Sequence, residues 1–110
     1  MAYDEDLANR LRELLSAHRG VEEKAMFGGL GFLIGGHLAV AANRNGGLLV
    51  RVPPADAEKL LHRAHVEPMV MGGREMRGWL RVDGAGVRTT RQLTGWVDRS
   101  VEFVRGLPPK

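Results

Sequence analysis

Cysteine is absent from the 110 residues. That removes disulfides, thiolate metal sites and a cysteine nucleophile at once. No apolar run approaches the ~20 residues that a membrane-spanning helix needs. The first ten residues, MAYDEDLANR, are acidic where a secretory signal would begin basic and continue apolar. These absences point to a cytoplasmic protein.

The phosphate-binding signatures are missing as well. The stretch KAMFGGLGFLIGG, residues 24–36, threads five glycines through an apolar run. Aligned on the P-loop pattern, it places His37 and Leu38 where Lys and Ser/Thr must hold phosphate and magnesium. Aligned on the dinucleotide fingerprint, Gly29 and Gly31 are followed by Ile34 in place of the third glycine. The following HLAVAA reads as a strand, so no helix N-terminus is offered to an anion. The glycines are therefore expected to serve the turns and close backbone approaches of tight hairpins. Ser16 and Ser100 sit in amphipathic helical patterns, not in a nucleophile elbow, so no hydrolase triad assembles.

What is present fits one globular domain over residues 1–110. The apolar fraction is 44% and the charged fraction 26%, which is ordinary for a folded chain. The net charge of +3 is uneven: residues 1–60 carry seven Lys/Arg against eight Asp/Glu, and residues 61–110 carry nine against five. Thirteen of the sixteen basic residues are arginine, the side chain suited to bidentate contacts with phosphate or carboxylate.

Leu7, Leu11, Leu14 and Leu15 recur at helical spacing, predicting a helix over Asp4–His18 with Gly20 as its stop. The segments EKAMF, LGFLI, HLAVAA and LLVRV read as strands, turned at Gly35-Gly36 and at NRNGG. Pro53 and Pro54 open a second helix, with Ala57, Leu60, Leu61 and Ala64 as its buried stripe. Two more strands follow, VEPMVM and EMRGWLRV. Thr89 and Gln92 form a capping box for a last helix burying Leu93, Trp96, Val97, Val101 and Val104. The order α-β(3–4)-α-β(2)-α predicts an α+β fold. We expect a two-layer sandwich in which three helices pack on a mostly antiparallel sheet of five to six strands.

Glu58, His62 and His65 share one face if the second helix continues through them, a spacing that can present ligands to a metal. That face lies away from the apolar stripe, where solvated polar residues belong, so no metal or cofactor site is expected. His37, at a hairpin, has no evident partner. In GGREMRGWLRVDG, strand alternation puts Arg77, Trp79 and Arg81 on one side and Met76, Gly78, Leu80 and Val82 on the core side. With Arg74, Arg88 and Arg91 nearby, the Arg/Trp side admits three readings. It is a solvated face whose arginines shield the indole, a protein interface, or a nucleic-acid face offering phosphate contacts and a stacking platform.

The segments KAMFGGLGFLIGGHLAV, LLVRV, GGREMRGWLRVDG, LTGWVDRSVEFV and LPPK together resemble the TfoX N-terminal-domain family. The most specific positions are Lys24, Met26, Phe27, Gly28, Gly29, Leu30, Arg51 and Trp96. The resemblance implies a compact two-layer α/β domain of the kind that begins bacterial competence regulators, where a helical C-terminal domain follows. This chain, ending at Lys110, is expected to be a stand-alone copy. The family supplies no catalytic residues. The expectation is a non-catalytic regulatory module that binds a protein, with a homodimer as one form, in which an edge strand of the glycine hairpins pairs across a two-fold axis. Nucleic-acid binding is the alternative, and an enzyme with a site that no spacing rule exposes is the third reading.

Overall fold

The computed structural model describes residues 4–26, 29–43 and 47–108. Helix α1 spans Glu5–Leu15, followed by strands β1 (Val21–Met26), β2 (Gly29–Ile34), β3 (His37–Ala42) and β4 (Leu48–Arg51). Helix α2 covers Pro54–Leu60, then come β5 (Val66–Met71), β6 (Arg74–Val82), a 3₁₀ turn at Gly84–Val87 and α3 (Thr90–Arg105). All strands join one antiparallel six-stranded sheet in the order β1-β2-β3-β4-β6-β5. The fold class and element order are those the sequence predicts.

The glycine-rich stretch is sheet. Gly35 and Gly36, at φ 60° and 85°, make the two-residue turn between β2 and β3, which needs positive φ at both positions. Phe27, Gly28 and the middle of NRNGG lie outside the described residues. Asn43 N–H donates to Gly47 carbonyl at 2.8 Å.

Alternation on each strand sends Leu30, Phe32 and Ile34 of β2, Val40 and Ala42 of β3, and Leu48 and Val50 of β4 into the main core. Leu7, Leu11 and Leu15 of α1 cover it with Leu93, Trp96, Val97, Val101 and Val104 of α3. The main core thus lies between the helices and one sheet face. At the head of α1, Leu7 N–H donates to Asp4 Oδ1 at 3.0 Å, a cap worth about 1 kcal/mol. Thr89 and Gln92 exchange side chain and backbone bonds at 3.0 and 3.1 Å, completing the expected capping box of α3. Buried Ser100 donates from Oγ to Arg51 carbonyl at 2.8 Å, tying α3 to the end of β4.

Three expectations need correction. Helix α1 ends at Leu15, short of His18, because Ser16 turns both its N–H and its hydroxyl onto Glu13 carbonyl. Helix α2 ends at Leu60, and the chain then turns through His65 at φ 69° into β5. Ala64 is consequently exposed, and His62 and His65 leave the helix face they were expected to share with Glu58. Met76 is 38% exposed and not core. The β5–β6 register shifts between Pro68 and Val70, and Gly78 at φ 83° breaks the alternation on β6.

Arg12 of α1 donates from Nε and Nη2 to the two Glu23 carboxylate oxygens, both at 2.8 Å. These hydrogen bonds hold the Glu23 carboxyl below its ordinary 4.5; slight desolvation opposes them and the charge attraction adds to them. A depressed folded-state value stabilises the fold above pH 4.5, and the contribution is lost as pH falls through the folded value. Both side chains are about two-fifths exposed, so the pair is worth only about 0.2–1 kcal/mol. Glu23→Gln is expected to cost that much at pH 7 and nothing in strong acid, as read by urea unfolding at the two pH values.

Candidate interaction surface

The second face of the sheet carries no helix. Cross-strand partners in an antiparallel sheet share a face, so the register draws a row across all six strands. In spatial order it reads Lys24, Gly31, Ala41, Leu49, Arg81, Glu67. Its centre is apolar: Ala41 and Leu49 are buried with Met69 in a second, smaller cluster, shielded by half-buried Leu38 and Trp79. Its ends are charged and exposed, Lys24 on β1 and Arg81 with Glu67 on β6 and β5.

Arg51 stands opposite Trp79 in the β4–β6 ladder. Its guanidinium lies 5.3 Å from the Trp79 ring centroid and 5.5 Å from that of Phe103. One cation thus joins an indole of the sheet to a ring of α3, a favourable arrangement of charge over π-density. Shielding of Trp79 by an arginine was one reading of the sequence, but the cation stacked on it among the described residues is Arg51, not Arg77 or Arg81. Only strand register could have revealed that, since residues 51 and 79 are joined by no local pattern.

The six residues expected to form one basic face are divided. Trp79 and Arg81 lie on the helix-free side. Arg74 and Arg77 are exposed at the β5–β6 hairpin end, next to Val70 at 54% exposure and Met76. Arg88 and Arg91 belong to the helix layer: Arg88 carbonyl accepts from Arg10 Nη2 at 3.2 Å, and Arg91 is in the first turn of α3.

Of the positions carrying the family resemblance, Lys24 is exposed and Arg51 stacks on Trp79. Leu30 and Trp96 are core, Met26 packs beside Gly31, and Gly29 faces the backbone of Ala42. Among the described residues no group of three or more His, Asp or Glu is placed to hold a metal. His65 Nδ1 pairs instead with Asp83, at 3.1 Å. His37, read as partnerless, has its Nε2 2.6 Å from Pro108 carbonyl, an oxygen that accepts from the ring N–H.

The TfoX N-terminal domain model matches residues 13–104. The chain belongs to the TfoX N-terminal domain family. No curated protein matches it in sequence. Among solved structures, this TfoX-family chain is similar to the crystal structure of Deinococcus radiodurans protein DR2400, which carries the DUF419 domain. The TM-score is 0.72 at 18% identity, covering 90% of this chain and 78% of that one. At that identity the likeness shows a shared fold. No helix of the described residues is long and apolar enough to cross a membrane.

Proposed function

We propose that this TfoX-family domain is a non-catalytic regulatory module that acts by protein binding through its helix-free sheet face, and that a second copy of the chain fits that face. The supporting observation is the helix-free face, where half-buried Leu38 and Trp79 cap the apolar cluster of Ala41, Leu49 and Met69 and the charged Lys24, Arg81 and Glu67 stand towards the ends, the layout of a protein interface. The row is also self-complementary. A two-fold axis parallel to the strands reverses strand order in the partner copy. Lys24 then stands over Glu67 of the partner copy and the Gly31 position over Arg81, while Leu38 and Trp79, which cover Ala41 and Leu49, supply the apolar contact between them. Opposite charges face one another at the rim. Six strands at ~4.8 Å spacing give a face about 24 Å wide, and aligned sheets pack this way in β-sandwiches.

Pairing through a sheet edge has less in its favour. Of the glycine-hairpin strands β1–β4, β1 is the edge, and its Glu22, Glu23 and Lys24 are exposed, charges that oppose strand addition. Nucleic-acid binding through the six expected residues also has less support, because they are split between two sides of the sheet.

Light scattering across a concentration series tests the reading. The wild-type chain should dimerise. Lys24→Glu should weaken the dimer at least tenfold by setting two carboxylates against each other. Adding Glu67→Lys should restore it. A wild-type chain that stays monomeric near millimolar concentration overturns the second-copy assignment, as does equal dimerisation of all three proteins.

A further inference from the structure

On the helix layer, a cleft of about 300 Å³ runs between α3 and the turn that follows α2. Arg63, Arg91 and Arg99 line it, with His65 at one end and Trp96 beneath. None of the lining residues is acidic. Among the described residues none of the three guanidiniums makes an ion pair or hydrogen bond; Arg63 lies 5.7 Å from the Trp96 ring centroid. The adjoining cleft of about 420 Å³ differs, since there Arg99 is accompanied by Asp56 and Glu102. Three like charges around one concavity whose lining holds no carboxylate raise the local affinity for an anion; Asp83 stands beside it, paired with His65.

The floor of this cleft carries a second, independent signal. Gly95 stands in the interior of α3, where glycine is less favourable than alanine. A Cβ there would meet nothing within 4 Å, so packing gives no reason for it. Arg91 and Arg99 flank it at i−4 and i+4, one turn away on either side and on one helix face. The missing side chain leaves a notch between two arginines, opposite the wall that carries Arg63. His65, at the rim, holds a positive φ, and strain of that kind collects at ligand sites.

We propose that this cleft binds the phosphate group of a small phosphorylated ligand, with Arg63, Arg91 and Arg99 as its donors and Gly95 giving it room. Guanidinium forks match phosphate oxygens in charge and geometry, and the volume suits a phosphate with a small attached group better than a polymer. The site lies on the layer opposite the proposed protein-binding face and does not depend on it.

Isothermal titration calorimetry with inorganic phosphate, glycerol 3-phosphate and a single-stranded oligonucleotide is the test, with thermal unfolding alongside to confirm folding. The wild-type chain should bind glycerol 3-phosphate saturably and more tightly than inorganic phosphate. Arg63→Ala and Arg91→Ala should each weaken binding at least tenfold. Gly95→Leu should abolish it while the variant stays folded, because the new side chain enters open space. Lys59→Ala, which removes an exposed cation outside the cleft, should bind like wild type. Absence of binding at millimolar ligand, or equal loss in Lys59→Ala, overturns the proposal. Tighter binding of the oligonucleotide that is weakened by the same arginine substitutions would overturn the small-ligand assignment in favour of nucleic acid.

Discussion

Gly29→Ala is expected to destabilise the domain by about 3–4 kcal/mol. A Cβ on Gly29 would overlap the carbonyl of Ala42 on the neighbouring strand, with Asn43 Cα only 3.3 Å away. Backbone cannot rotate aside as a side chain can, so β2 and β3 would have to separate where Leu30 pairs with Ala42. Two residues along, a Cβ on Gly31 would meet only the side chains of Leu38 and Met26, at 2.8 and 3.0 Å. These are flexible ends, and Gly31→Ala should cost about 1 kcal/mol. Guanidinium chloride unfolding of both variants measures the contrast. Equal small losses would mean that the β2–β3 approach is looser than described and that Gly29 serves something other than strand packing.

Phe32→Ala should cost about 3–5 kcal/mol. Phe32 is wholly buried at the middle of β2, near Leu15 of α1 and Val21 of β1. Truncation loses the transfer free energy of the ring and leaves a cavity between a helix and a sheet held apart by their other side chains. A domain of this size has roughly 5–15 kcal/mol in total, so the loss should lower Tm by about 15–20 °C. Phe32→Leu, which keeps most of the volume, should lose about 1–1.5 kcal/mol. A loss below 1 kcal/mol for Phe32→Ala would show that α1 does not pack on β2 as described.

Both substitutions act on residues whose importance was only half legible in the sequence. Gly29 drew notice as part of a family motif and as one of five clustered glycines. The sequence says that such glycines serve turns and close backbone approach; Gly35 and Gly36 serve a turn, while Gly29 serves close contact with another strand. Only the paired backbone separates these cases. Trp79 stands out in the sequence as an unusual strand residue, but its partner Arg51 comes from another strand and stands out there only as a family position. Met76 was assigned to the core by alternation, which the register shift at Pro68 and positive φ at Gly78 interrupt.

What the sequence by itself determined is local. Leucine spacing, the Thr89–Gln92 box, paired prolines and short hairpins set the number, type and order of the elements, because each depends on neighbours within a few residues. Tertiary structure alone decided which strands are neighbours, since placing β6 between β4 and β5 depends on which surfaces bury best. It decided that all three helices cover one face, leaving the Lys24–Glu67 row without a helix on the other. It also decided where α2 ends, and so brought Arg63 opposite Arg91 and Arg99 while parting His62 and His65 from Glu58. Those juxtapositions join residues tens of positions apart. They arise from burial of the whole chain at once, which no local pattern encodes.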